Sequence, residues 1–232
     1  MTPADSTVFL VDVDNTLLDN DRIREDMQDH LERKYGTQCR ERYWTIQEHL
    51  FVELGYRDYL GALQRYRAEY PDALDLLWMS SYLLDYPFAD RLFDGALQVL
   101  EGLRKLGRTV ILSDGDMVFQ PRKVKRSGLL DAVEGRVLIY VHKEKSLEDV
   151  EHRYPARNYV LVDDKPSILA AVKKFWGERV TTVLPRQGQF AHDASAAAAY
   201  PAADLTVERI SDLLSYDLAA LAAGDYSKAA TP

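Results

Sequence analysis

Val8-Phe9-Leu10-Val11-Asp12-Val13-Asp14-Asn15-Thr16 decides how this chain is read. Four consecutive apolar residues with no polar alternation describe a strand buried on both faces. The run then breaks into two carboxylates two positions apart. Such a pair at the mouth of a buried strand costs desolvation and mutual repulsion, so a fold keeps it only where a cation or protons offset the charge.

Three later segments repeat the design of a short apolar run ending in polar chemistry. Thr109–Leu112 delivers Ser113, Val137–Val141 delivers His142 and Lys143, and Tyr159–Val162 delivers Asp163 and Asp164. Helical patterns separate the last three, which predicts an α/β architecture with a doubly wound parallel sheet. Ligands of such sheets bind outside the carboxyl ends of the strands, so residues spread along the chain can converge there.

The helices between the runs agree. Ala96, Leu97, Val99, Leu100, Leu103 and Leu106 follow helical spacing and stop at Gly107, a residue suited to a left-handed C-terminal position. Pro166 opens a helix whose Ile168, Leu169, Val172, Phe175 and Trp176 form an apolar core stripe, ended by Gly177. Thr181–Leu184 and then Asp204–Thr206 read as the remaining strand and the entry to a last helix starting near Val207. The alanine-rich stretches at 194–199 and 219–230 read as a surface loop or short helix and as a fraying tail.

The stretch 19–89 is too long for an ordinary connection and reads as several amphipathic helices. It is predicted to be a helical cap inserted in a discontinuous core of 1–18 and 90–232, with hinges near Leu18–Asp21 and Asp85–Asp90 lying side by side. More than half of the tyrosines fall in the insertion, with Trp44 and Trp78, and most are expected to pack its bundle. Both of its ends reach the carboxyl edge of the sheet, so its body overhangs the site. Within it Leu54-Gly55-Tyr56-Arg57-Asp58-Tyr59 breaks the helical pattern, making Tyr56 and Arg57 substrate-contact candidates.

Composition narrows the setting. The chain of 232 residues is long enough to bury a real core and carries a net charge of −8 with no compensating basic run, which argues against nucleic acid as a partner. The single cysteine, Cys39, excludes an internal disulfide and reads as a small buried hydrophobe. The first apolar run meets Asp12 after four residues, so neither a signal peptide nor a membrane span is expected, and the expected compartment is the cytoplasm.

The order of an aspartate pair, a hydroxyl, a lysine and an acidic pair resembles the four-motif signature of the haloacid dehalogenase-like hydrolase superfamily. The resemblance runs from about Ser6 to Leu18 and from about Phe93 to Leu214. It implies a Rossmann-like core, and the place of the helical insertion resembles the superfamily's C1 cap class. A phosphate dianion repels an anionic nucleophile unless positive charge stands between them, and magnesium with hard oxygen ligands meets that need. Asp12, the backbone carbonyl of Asp14, and one or both of Asp163 and Asp164 make a plausible ligand set. The resemblance further implies that Asp12 is the nucleophile and Asp14 the general acid and base, with Ser113 donating to a phosphoryl oxygen. Thr16, Asp114 and Gly115 are substrate-contact candidates on the adjoining loops.

The lysine motif admits Lys143 or Lys145. Ser146 with Asp149 resembles a capping box, so the helix is predicted to begin at Ser146, leaving Lys143 nearer the strand end. Lys143 is the preferred residue, and His142 is read as a neighbour. The fourth motif departs from longer variants, with Ile168 where another acid would stand; Asp163 shares that duty and Asp164 is the preferred direct ligand. Asp114 and Asp116 add carboxylates after Ser113, and Asp116 is predicted to cap the following helix. The function implied is a magnesium-dependent phosphohydrolase acting on a small organic phosphate monoester through an aspartyl-phosphate. Alternatives are phosphomutase or carbon-halogen hydrolysis on the same scaffold, and a non-enzymatic phosphate-binding regulator.

Overall fold

The structure is a computed structural model that describes residues 7–73, 76–193 and 198–225. Its centre is a parallel sheet of β1 (Thr7–Val11), β2 (Arg108–Asp114), β3 (Val137–Tyr140), β4 (Asn158–Val162), β5 (Val180–Pro185) and β6 (Leu205–Val207), in the order β3-β2-β1-β4-β5-β6. Val11 pairs with Ile111 on one side and Val162 on the other, so β1 and β4 end level while β2 runs on to Asp114. The chain runs outward from β1 to β3 and then returns across the sheet to β4. That reversal opens the binding crevice between β1 and β4, beside Asp12, Asp163 and Asp164.

The apolar runs are continuous because both faces of the sheet are covered. Phe9 and Val11 face a core built with α5 (Ala96–Leu106) and the inserted helices, whereas Val8 and Leu10 face α8 (Leu147–Arg153) and α9 (Pro166–Trp176). Trp176 is core as expected, stacked on Tyr159 with ring centroids 4.2 Å apart.

Between β1 and α5 lie α1 (Asn20–Tyr35), α2 (Thr37–Leu54), α3 (Tyr59–Glu69) and α4 (Leu77–Asp85). Asp19 caps α1 by accepting from the Arg22 amide at 2.9 Å, and Ile23, Met27 and Leu31 bury one helical face. The two chain crossings do lie side by side: the Asp19 amide donates to the Arg91 carbonyl and the Phe93 amide to the Leu17 carbonyl. The return crossing therefore sits at Arg91–Phe93, a few residues beyond the predicted hinge.

Several local expectations change. Gly107 is extended rather than left-handed, and it is glycine because a Cβ would lie 2.4 Å from the Thr7 carbonyl oxygen. Leu97, Leu106, Phe175 and Trp78 follow helical spacing yet are exposed, since each flanks rather than centres its buried stripe. Val207 closes β6, and the chain beyond it makes a 3-10 turn at Ile210–Ser215 before a short helix at Leu218–Ala222. Ser146 stands at the start of α8 without forming a capping box: its hydroxyl donates to the His142 carbonyl, and Asp149 is held by Tyr140 and Arg153. Cys39 is buried and unpaired. Of the alanine-rich stretches, residues 194–197 and 226–230 lie outside the described residues. Among the described residues no helix is long and apolar enough to cross a membrane.

Candidate active site

Asp12 leaves β1 at the crevice and is 1 % exposed. Its Oδ1 accepts from the Lys143 ammonium at 2.6 Å, and the same ammonium lies 2.6 Å from Asp163 Oδ2. Lys143 is thus the lysine that reaches the carboxylates, while Lys145 points to solvent. One cation does not neutralise what surrounds it: Asp12, Asp163 and Asp164 offer carboxylate oxygens that all lie within 4.8 Å of one another. Asp12 Oδ2 and both oxygens of Asp164 are buried without a hydrogen-bond partner.

The electrostatics follow from that crowding. Burial disfavours the Asp12 carboxylate, but Lys143 and Lys165 outweigh it and hold the group below the ordinary range. Burial pushes Asp163 up to about 6 and Asp164 well above its ordinary value, with the Asp12 charge adding to both. Lys143 is raised well above the usual lysine value, because Asp12 and Asp163 outweigh the burial that opposes its charge. A divalent cation would take the place of protons here, and partnerless buried carboxylate oxygens are the hard donors it prefers. The residues present therefore fit such an ion. The side chain of Asp14 stands apart from the cluster, leaving its carbonyl as the only contribution that residue was expected to make.

Asp14 turns instead to Lys123 on α6 (Phe119–Arg126). The Lys123 ammonium is 2.7 Å from Asp14 Oδ1 and 2.9 Å from Oδ2, and it also donates to Asn20 Oδ1 at 3.0 Å. Gln120, one helical turn earlier, donates to Ser113 Oγ at 2.9 Å, which aligns that hydroxyl. Asp116 accepts from the Val118 and Phe119 amides, closing the turn ahead of α6, whose N-cap position is Val118 rather than Asp116. Asp114 accepts from the Lys143 amide at 2.8 Å, and burial raises its carboxyl above the ordinary range.

The loop after Asp12 is tightly wound. Asn15 has φ 58°, a left-handed conformation that asparagine tolerates, and its Oδ1 accepts from the Asn20 and Asp21 amides at the head of α1. Gly188 presses on it so closely that a Cβ would lie 2.4 Å from Asn15 Cβ, and Gln187 donates to the Thr16 carbonyl at 3.1 Å.

A cavity of about 310 Å³ opens over these groups, between the inserted helices and the sheet edge. Asp14, Asp114, Gly115 and Asp164 line it from the core, and Tyr56 and Arg57 from the insertion. Asp12, Ser113, Lys143 and Asp163 lie buried outside that lining. Thr16 is likewise fully buried outside that lining, with its hydroxyl lacking a hydrogen-bond partner. Arg57 reaches the cavity while tied to Glu48 at 2.9 Å and set over the Phe51 ring. The seam between insertion and core is close, since a Cβ on Gly55 would lie 2.4 Å from His142 Cε1.

Sequence reasoning missed Lys123, Gln120 and Lys165. Lys123 falls four residues after Phe119 on the buried face of α6, and a lysine at a core position demands an acidic partner. Lys165 directly follows the acidic pair and carries its ammonium 5.7 Å over the Phe190 ring.

The match to a family model described as haloacid dehalogenase-like hydrolase spans residues 7–183. A crystal structure described as a haloacid dehalogenase-like hydrolase from Burkholderia xenovorans LB400 is 59 % identical, with a TM-score of 0.89, covering 94 % of this chain and 99 % of that one. The magnesium-bound HAD-hydrolase YfnB of Bacillus subtilis shares 16 % identity over 90 % of this chain and 97 % of its own, with a TM-score of 0.61. For the L-2-haloacid dehalogenase of Xanthobacter autotrophicus the values are 20 %, 89 %, 96 % and 0.57. No curated protein matches the chain. The two distant likenesses concern the fold alone; the family-model match and the 59 % identity go further, and the chain belongs to the haloacid dehalogenase-like hydrolases.

Proposed function

We propose that the protein is a magnesium-dependent phosphatase acting on a small organic phosphate monoester, with a core of 1–18 and 90–232 and a helical C1-type cap of 19–89. The observation that carries this reading is the pairing of two features at one crevice: partnerless buried carboxylate oxygens on Asp12 and Asp164, and a second carboxylate, Asp14, facing the cavity. A bound magnesium ion would be held by Asp12, Asp163, Asp164 and the Asp14 carbonyl, and would supply positive charge against the phosphoryl oxygens.

Asp12 Oδ2, which carries no hydrogen bond, attacks phosphorus, while Oδ1, fixed by Lys143, is the Asp12 oxygen left to hold the metal. Ser113, aligned by Gln120, donates to a phosphoryl oxygen. The leaving alkoxide needs a proton, and Asp14 in its acid form delivers it; Lys123 positions that carboxyl against the cavity wall and, as a cation, favours the ionised form that the second step requires. Asp14 then takes a proton from the water that hydrolyses the aspartyl-phosphate. Carbon-halogen cleavage expels an anion that needs no proton, so it leaves Asp14 without its task in the first step. Phosphomutase chemistry would use the same core residues.

The test is release of phosphate from a panel of monoesters, with and without magnesium, beside release of halide from 2-haloacids. Magnesium-dependent phosphate release that Asp12→Asn abolishes is the expected result. Halide release without phosphate release would overturn the reading, and an Asp12→Asn variant within about tenfold of the parent, about 1.4 kcal/mol, would overturn the nucleophile.

A further inference from the structure

The cavity is also lined by polar residues of the inserted helices that the carboxylate cluster does not engage. Tyr59, at the start of α3, is 3 % exposed and lines the cavity, yet its hydroxyl has no hydrogen-bond partner. Arg24, on α1, lines the same cavity. Its Nε is likewise buried without a partner, and its nearest carboxylate among the described residues, Asp21, stands 3.8 Å from Nη1, beyond hydrogen-bond reach. Of the other cations lining it, Lys123 holds Asp14 and Arg57 is bound to Glu48, while Lys165 sits in the field of Asp12, Asp163 and Asp164.

Both groups are built in place. The Tyr59 ring packs on Phe119 with centroids 4.9 Å apart, and its backbone carbonyl accepts from the Tyr43 hydroxyl at 2.9 Å. The Arg24 guanidinium lies 5.7 Å from the centre of the Trp44 ring. Burial, opposed by the Arg24 and Arg57 charges, pushes the Tyr59 hydroxyl up to about 12, so it remains a donor at neutral pH. A fold that buries donors without acceptors sacrifices stability unless a ligand supplies them.

We propose that Arg24 and Tyr59 form a subsite for a second oxyanion, so the substrate is a phosphate monoester that carries a further carboxylate or phosphate on its alcohol portion. Guanidinium and phenol hydroxyl together suit a planar or tetrahedral oxyanion through charge-assisted hydrogen bonds. A cavity of about 310 Å³ holds a molecule with a few carbons between its two anionic ends. The inference rests on the phosphatase reading for the group bound at Asp12.

The test uses three non-hydrolysable probes of equal carbon count: propylphosphonate, 3-phosphonopropionate and propane-1,3-bisphosphonate. Their affinities for the intact protein with magnesium are measured by isothermal titration calorimetry. The expected result is that at least one doubly anionic probe binds roughly tenfold or more tighter than propylphosphonate. The tighter of the two identifies carboxylate or phosphate as the second group. In Arg24→Gln the ratio should fall to within about threefold of one, and Tyr59→Phe, which keeps the ring against Phe119, should lower it in the same direction. Equal affinities in the parent, no binding of any probe, or a ratio preserved in both variants would overturn the subsite. If Arg24→Gln does not fold by circular dichroism, Tyr59→Phe alone decides. Absence of ester turnover with the ratio intact would sink the phosphatase reading and leave the subsite standing.

Discussion

Replacing Lys123 with methionine removes one atom's worth of charge from the site and leaves the packing of the stem in place. The Lys123 side chain is 1 % exposed and its ammonium stands 2.7 Å from Asp14 Oδ1. At that distance, with the effective dielectric constant of about 20 that suits protein sites, the attraction is about 6 kcal/mol, most of which desolvation of the ammonium consumes. Removing one member of a fully buried pair costs about 3–5 kcal/mol through the charge left behind. The Asp14 side chain is 26 % exposed, so water can take up part of that need, and the expected loss is about 2 kcal/mol. Asp14→Asn should cost at least as much, because it leaves the more deeply buried ammonium with neutral acceptors only, the new amide oxygen and Asn20 Oδ1.

Urea unfolding of the parent, both single variants and the double variant closes a thermodynamic cycle. The double variant should lose about 1–3 kcal/mol less than the sum of the singles, the signature of a pair that interacts directly. Additivity within about 0.5 kcal/mol would refute the ion pair as a stabilising contact. Under the proposed chemistry, Lys123→Met should also slow alkyl phosphates more than activated aryl phosphates, whose leaving groups need little protonation. Equal slowing would detach Lys123 from proton delivery while leaving its structural role intact.

The sheet and its four polar strand ends were legible because burial on both faces writes the same signal at every position of β1, β2 and β4. What escaped was chemistry supplied by helices. Lys123 and Gln120 lie in a segment, Phe119–Arg126, whose basic residues disguise the apolar spacing that would have shown which of them face inward. Position alone does not distinguish a solvated lysine from one buried against an acid 109 residues earlier in the chain. The left-handed step at Asn15 was equally hidden, because asparagine after two carboxylates reads as loop chemistry rather than as a fixed backbone turn. Gly107 was recognised as a helix terminator, yet its reason is contact with the Thr7 carbonyl, a tertiary constraint invisible to helix-capping rules. Tyr59 and Arg24 could be counted among the aromatic and cationic residues of the insertion, but only the fold places both on the cavity with the Tyr59 hydroxyl and Arg24 Nε unpaired.

The remaining expectations address the lysines, the acid limb and the seam. Lys143→Met should unfold about 3–5 kcal/mol more easily in metal-free urea titrations, whereas Lys145→Ala, at an exposed position, should stay within about 0.5 kcal/mol; the reverse order would transfer the assignment to Lys145. Asp26 is held below the ordinary carboxylate range: burial opposes its charge, but the Tyr86 hydroxyl and the Arg91 guanidinium outweigh it. Its folded value therefore lies below the unfolded one of about 3.9, so its stabilisation is whole above that pH and fades as pH falls through the folded value. The stability gap between the parent and Asp26→Asn should accordingly narrow from pH 6 to pH 3, and a constant gap would show that the carboxylate charge is not what stabilises. Gly55→Ala probes the contact between insertion and core and carries two separable penalties. Gly55 ends α2 at φ 79°, where alanine is strained by about 1 kcal/mol, and the new Cβ would lie 2.4 Å from His142 Cε1. His142→Ala removes the second penalty and leaves the first, so Gly55→Ala should cost about 2 kcal/mol in the parent and about 1 kcal/mol in the His142→Ala background. Equal costs in the two backgrounds would mean that the imidazole swings aside freely. In that case glycine is required at position 55 by its backbone conformation, and the seam tolerates a side chain there.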